Sequence, residues 1–241
     1  MKVAGWRRGV NVAMKSIEEV LPRTRVITFD CYGTLIDWSA GLHQSFVKIF
    51  GELSDNALTS MVREYVEIEA SVEAQPYQPY RTVLARTMES LAEQFELPLP
   101  AERIGALAES LGEWEPFADT NAALVRLKRR CKLGILSNID GDLFARTAGH
   151  FDVKFDFVVT AEDVQSYKPN HGHFKTVIER HCAPENWLHV AQSLFHDGVP
   201  ASELGVAFAW INRYGGAKEI AMDPLITLPD LKSLADKFDT V

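Results

Sequence analysis

The segment VITFDCYGTLIDW, Val26 to Trp38, decides how the rest of the chain is read. An apolar run of strand character ends on a carboxylate, Asp30. A Gly-Thr pair, Gly33 and Thr34, then turns the chain. Gly33 permits a tight turn, and the Thr34 hydroxyl can hold the loop by a local hydrogen bond. Read alone, Asp30 is a turn or cap residue or a reactive group. The remaining sequence has to separate these readings.

Four further apolar runs resemble the first: KLGILSN ending near Asn138, FDFVVTA near Thr160, WLHVAQS near Gln192, and GVAFAWIN from Gly205 to Asn212. They are rich in Val, Ile, Leu and Phe without strict alternation, as expected of parallel strands covered on both faces. Helical patterns lie between them: NAALVRLKRR, GDLFARTAGHF and HFKTVIERHC. Alternating strand and helix predicts an α/β fold, a Rossmann-like doubly wound parallel sheet. Ligands of such sheets sit outside the carboxyl ends of the strands, where Asp30, Ser137, Asn138, Thr160 and the stretch Gln192 to Asp197 all fall.

Residues 39–114 differ. LHQSFVKIF, LTSMVREYVEIEASVEA, YRTVLARTMESLAEQF and AERIGALAESL carry helical periodicity, punctuated by Pro76, Pro79, Pro98 and Pro100. This predicts a helical cap inserted after the first strand, with the sheet resuming around Trp114 to Thr120. The core then comprises residues 25–38 and 115–241. Residues 1–24 read as a poorly ordered N-terminal extension, with a weak amphipathic helix as the other reading.

Composition narrows the function. The chain has 241 residues, 46% hydrophobic and 24% charged, with net charge −8. A basic face for nucleic acid or anionic membrane is not expected. No apolar run approaches the ~20 residues needed to span a bilayer. Cys31, Cys131 and Cys182 are few and widely spaced. They predict free thiols, a reducing cytoplasm and no zinc site. The seven histidines show no metal-ligand spacing.

FDCYGTLID, ILSNID, SYKPN and VAQSLFHD, in that order, resemble the four motifs of the haloacid dehalogenase superfamily. The resemblance covers nearly all of the chain from Arg25 onward. It implies that Asp30 is the nucleophile, that Thr34 supports it, that Lys168 keeps it ionised and that Asp197 orients Lys168. Ser137 and Asn138 would bind substrate; capping the following helix is their other reading.

Tyr32 stands where the phosphatases of the superfamily usually carry a second Asp, the acid that protonates a poor leaving group. The L-2-haloacid dehalogenases carry Tyr there, and a halide departs without a proton. Gln192 replaces an acid that the phosphatases use for Mg²⁺, a cation that prefers several carboxylate oxygens. The resemblance therefore implies no metal and no cofactor, with Mg²⁺ needed only if the chain were a phosphatase. Arg63 is expected in the cap above the leaving group, or else as a solvated helix residue. Trp38 lines the pocket or packs in the core.

The match has departures. The dehalogenases have Tyr where this chain has Phe174, and Ser and Asn where it has Gln192 and Leu194, so Gln192 is the candidate for placing the hydrolytic water. His196 has no role in the family. The same motifs resemble a subgroup containing L-azetidine-2-carboxylate hydrolase, which opens a strained ring beside a carboxylate. The expected substrate is a small carboxylic acid, most simply an (S)-2-haloacid. The alternatives are ring opening, Mg²⁺-dependent phosphate hydrolysis and non-catalytic ligand binding. A homodimer is the family's expectation.

Overall fold

A computed structural model describes residues 16–218 and 220–240. Its centre is a six-stranded, all-parallel sheet ordered β3-β2-β1-β4-β5-β6. The strands are β1 Val26–Phe29, β2 Lys132–Ser137, β3 Phe157–Thr160, β4 Trp187–Ala191, β5 Ala207–Ile211 and β6 Ile226–Leu228. The first five match the five apolar runs. β6 carries only ITL on the sheet edge, too short a run to announce itself.

Side-chain parity explains why the strands do not alternate. Successive residues face opposite sides of a sheet. Ile27, Phe29, Leu133, Ile135, Leu188, Val190, Ala209 and Ile211 join one apolar cluster, with Leu124, Leu127, Leu231, Leu234 and Phe238 from helices Thr120–Lys128 and Leu231–Asp239. Val26, Leu136, Trp187, Ala191, Phe208 and Trp210 join a second cluster, with Phe174 and Val177 of helix Gly172–Arg180. Both faces are covered, so both parities are apolar.

The chain runs outward from β1 through β2 to β3, then crosses to β4 on the other side of β1. The crevice between β1 and β4 is thus the topological switch point, where ligands of such sheets bind. β1 and β4 are in register, Thr28 opposite His189 and Phe29 opposite Val190. Asp30 therefore leaves the sheet beside Ala191, one residue before Gln192.

From Trp38 to Glu113 the described residues are helical or looped, with no strand. Asp37 caps Trp38–Phe50 by accepting from Ala40 N–H at 3.1 Å, and Ser54 caps Asp55–Glu73 in the same way from Ala57. Tyr80–Gln94 packs along Asp55–Glu73. AERIGALAESL forms only short pieces, of which Ala106–Ser110 is α-helical.

Two expectations are corrected. The sheet does not resume at Trp114 to Thr120. Only an isolated antiparallel bridge joins Pro116 to Ile36, and proline has no N–H with which to extend a ladder. The N-terminal extension is structured from Ser16 onward: a turn of helix at Ile17–Val20 continues into Leu21–Arg23, burying Val20 and Leu21. Residues 1–15 of that extension lie outside the described residues.

Candidate active site

Asp30 follows the last residue of β1, and its side chain is 14% exposed. Gly33 adopts φ +91°, a conformation that L side chains rarely take, and closes the turn that brings Thr34 back over Asp30. Thr34 Oγ1 donates to Asp30 Oδ2 at 2.8 Å and accepts from the Gln192 backbone N–H at 3.0 Å. The turn after β1 is thereby tied to the end of β4. Arg213, which sequence reasoning missed, secures it from outside. Its guanidinium donates twice to the Thr34 carbonyl, pairs with Asp119 at 2.7 Å and stacks on Phe117.

Lys168 is 2% exposed, and its ammonium makes three hydrogen bonds: to Asp30 Oδ1 at 2.9 Å, Asp197 Oδ1 at 2.7 Å and the Leu136 carbonyl at 2.9 Å. Every proton of the ammonium has an acceptor, so its position is determined. Burial alone would lower the Lys168 pKa, but Asp197 and Asp30 outweigh it and raise the value, so the lysine stays charged. Asp197 is 1% exposed. Burial works against its ionisation, yet Lys168 and His189 hold its carboxyl well below the ordinary range. Burial pushes Asp30 upward, with Lys168 opposing and Asp197 reinforcing the rise. Of the two carboxylates, Asp30 is the more basic and the more accessible.

The sequence-predicted residues divide into those brought to this centre and those held elsewhere. Asp30, Thr34, Lys168 and Asp197 form one bonded unit. Ser137, at the end of β2, is buried and its hydroxyl makes no hydrogen bond to a described residue. The side-chain amide of Gln192 is likewise uncommitted. Asn138 is not a free substrate-binding amide. Its Oδ1 accepts from Lys168 N–H at 2.7 Å and its Nδ2 donates to the Lys168 carbonyl at 3.2 Å, so it clamps the lysine's backbone.

Tyr32 shares its hydroxyl with Thr147 Oγ1 at 2.7 Å and sets its ring edge-on to Trp114. Burial pushes its phenol pKa well up. Trp38 packs against Tyr65 and the core beneath the helical segment. His196 donates its backbone N–H to Ser193 Oγ, and its ring pKa is lowered by burial.

Arg63 is corrected. It is 73% exposed and touches only its neighbour Glu64, at 3.5 Å. Helix Asp55–Glu73 buries Met61, Tyr65 and Val72, and Arg63 lies off that face. The helix instead turns carboxyls inward. Glu69 accepts from the Tyr65 and Tyr80 hydroxyls, both at 2.7 Å, and Glu73 approaches Asn138 Nδ2 at 3.5 Å. Burial raises both carboxyls; Glu69 adds to the rise at Glu73, while Lys168 and Asn138 oppose it. The spacing of Glu69 and Glu73, i and i+4 on the stripe of Tyr65, was the available signal.

Asp30, Thr34, Lys168 and Asp197 stand at the switch point in the order in which their motifs occur. The family model for haloacid dehalogenase-like hydrolases matches residues 24–194, well over half of the chain. The chain belongs to the haloacid dehalogenase-like hydrolases. Among relatives, an (S)-2-haloacid dehalogenase of Pseudomonas putida is 29% identical over 207 residues, 79% of this chain and 86% of the relative. The Xanthobacter autotrophicus L-2-haloacid dehalogenase with chloropropionic acid covalently bound superposes with TM-score 0.77 at 16% identity, covering 88% of this chain and 97% of that one. The magnesium-bound HAD-hydrolase YfnB of Bacillus subtilis superposes equally well, TM-score 0.77 at 18% identity, covering 90% and 99%. The superpositions establish the haloacid dehalogenase-like fold; the chemistry rests on the side chains.

Among the described residues, no group of three or more His, Cys, Asp or Glu side chains is placed to hold a metal ion. The donor chemistry agrees. Lys168 occupies one oxygen each of Asp30 and Asp197, and Tyr32 and Gln192 replace further acids. A divalent cation, which needs several carboxylate oxygens, does not fit this set. Among the described residues no helix is long and apolar enough to cross a membrane.

Proposed function

We propose that this haloacid dehalogenase-like hydrolase cleaves the carbon–halogen bond of a small (S)-2-haloacid, without a metal or cofactor, through an ester on Asp30. The observation that carries the reading is Tyr32: no acid stands two residues after the nucleophile, and the phenol there is buried and bonded to Thr147. A leaving group that needs a proton gets none from this position. A halide needs none. The curated relatives support the substrate class.

In the first step the Asp30 carboxylate attacks the alpha carbon in line. The C–O bond forms as the carbon–halogen bond breaks, and the halide leaves with the electron pair. Configuration inverts. Lys168 and Thr34 orient the carboxylate for that approach, and a carboxylate held and partly desolvated in this way is a workable nucleophile. Water then attacks the Asp30 carbonyl carbon, releasing a 2-hydroxy acid and a proton and restoring the carboxylate. Lys168 balances the charge that returns to Asp30. Ser137 is proposed to bind the substrate carboxylate and Gln192 to place the water. Residues 39–114 are proposed to act as the cap that keeps bulk water out, which strengthens these electrostatic contacts.

One observation supports a second substrate class on the same machinery. The inward carboxyls Glu69 and Glu73, in place of a cationic Arg63, suit a substrate whose leaving group is a ring nitrogen, as in L-azetidine-2-carboxylate. Halide release from (S)-2-chloropropionate with EDTA present, using Asp30→Asn as control, tests the main reading. Release by wild type alone supports it. Silence toward the haloacid together with ring opening of azetidine-2-carboxylate would replace it with the second. Phosphate release that requires Mg²⁺ would overturn both.

A further inference from the structure

The reaction as described stops at Asp197, but its bonded chain does not. Asp197 Oδ1 accepts from Lys168 and also contacts His189 Nε2 at 2.9 Å. His189 Nδ1 lies 2.7 Å from Thr28 Oγ1, and Thr28 Oγ1 accepts from Trp187 Nε1 at 2.7 Å. Trp187, His189 and Thr28 are each buried to 1% exposure or less. Strand register builds this line. Thr28 and His189 are directly opposed on β1 and β4, and Trp187 precedes His189 by two on the same face. Asp30 continues that face two residues beyond Thr28.

The protons along the line follow from chemistry. An ionised carboxylate only accepts, so His189 Nε2 carries a hydrogen and donates it to Asp197. The indole only donates, so it takes a lone pair of Thr28 Oγ1. The remaining proton of the Thr28 hydroxyl has His189 Nδ1 as its acceptor. A neutral imidazole with hydrogen on Nε2 satisfies every contact.

We propose that His189 is a positioning residue for the reaction: by donating to Asp197 it divides that carboxylate between two donors and keeps the Lys168 ammonium centred on Asp30, while Thr28 and Trp187 fix its tautomer. The proposal rests on Asp30 and Lys168 being the reacting pair. Without the His189 donor, Asp197 draws Lys168 more strongly and Asp30 loses stabilisation of its anion. The sign follows: the Asp30 carboxyl becomes harder to ionise, and the acid limb of activity moves to higher pH.

Other titratable groups face this centre. Cys31 and Tyr32 border Asp30, and burial pushes both pKa values up, keeping them neutral. His196 is lowered by burial, and His173, beside Lys168 and Asp197, is pushed down to about 3. Glu73 faces Lys168 and titrates upward of its ordinary value, so a Glu73→Gln background removes its contribution.

The test compares Thr28→Val, Thr28→Ser and His189→Phe in that background. Halide release is read as a pH profile, and the Asp30 carboxyl is titrated by ¹³C NMR in the free protein. Thr28→Val and His189→Phe are expected to lower kcat by about tenfold, with KM changed less than about twofold, as for loss of one hydrogen bond to a charged group. Both should raise the Asp30 midpoint. Thr28→Ser, which keeps the hydroxyl, should restore both quantities. ¹⁵N NMR of wild type should show hydrogen on His189 Nε2.

Hydrogen on Nδ1 overturns the proposal. So does a fall in melting temperature with kcat and the Asp30 midpoint unmoved, or a Thr28→Ser protein that behaves like Thr28→Val. If wild type releases no halide, the substrate reading fails, and the Asp30 titration and the tautomer still decide this one. If His189→Phe does not fold, the near-isosteric Thr28 pair decides it.

Discussion

Lys168→Met removes the cation between the buried Asp197 and the part-buried Asp30 and leaves an apolar stem of similar reach. In the wild type the ammonium lies 2.9 Å from Asp30 and 2.7 Å from Asp197. At an effective dielectric near 20, a unit charge about 4 Å away contributes about 4 kcal/mol. Lost from the ionised form of Asp30, that stabilisation leaves its carboxyl harder to ionise. Burial already raises Asp30, so the acid limb of kcat/KM should move to higher pH. Stability should fall as well, because removing one partner of a buried pair costs about 3–5 kcal/mol. Adding Asp197→Asn removes the second uncompensated charge and should recover part of that loss without recovering activity. The assay is initial-rate halide release between pH 5 and 10, alongside urea unfolding. A Lys168→Met enzyme with wild-type turnover and an unmoved acid limb would refute the electrostatic account of Asp30.

Arg63→Ala should leave KM and kcat within about twofold in the same assay, since an exposed ion pair with a neighbour contributes about 0–1 kcal/mol; a large rise in KM would restore it to the site. Gly33→Ala has open space for a methyl group but must hold φ +91°, so it should lose about 1–2 kcal/mol in urea unfolding and slow turnover by loosening Thr34. Glu73 is raised by burial in the folded state, so the folded state binds its proton more tightly than the unfolded one. Its contribution to stability is present below the ordinary glutamate value and is lost as pH rises through the folded value. Glu73→Gln should therefore raise Tm at pH 8, with ~2–4 °C corresponding to ~1 kcal/mol, and change it little at pH 4. Equal shifts at both pH values would show that the carboxyl is not the cause.

Local chemistry made much of this protein legible in its sequence. Five strands were visible because a doubly covered sheet demands apolar residues of both parities, and the motifs mark the strand ends where a parallel sheet collects its ligands. Asp30, Thr34, Lys168 and Asp197 were found because each sits in a motif whose backbone geometry is local. β6 escaped because three edge residues carry too little pattern, and Trp114 to Thr120 misled because its aromatic and apolar content serves a turn. Whatever depends on the rotation of one element against another lay beyond the sequence. Arg63 and Glu73 share a helix, and the stripe of Met61, Tyr65 and Val72 hinted at its inner face; the tertiary structure, by burying that stripe, turned the acid in and the arginine out. Asn138 read as a free amide because its partner, the Lys168 backbone, lies thirty residues away. His189 read as an ordinary strand residue until register set it opposite Thr28 and, beyond the strand's end, against Asp197. The sequence by itself determined the apolar strands of the sheet and the motif residues Asp30, Thr34, Lys168 and Asp197 at their ends. Tertiary structure alone decided which side chains surround them, because hydrogen bonds across strands and from the inserted helices join residues that no local spacing connects.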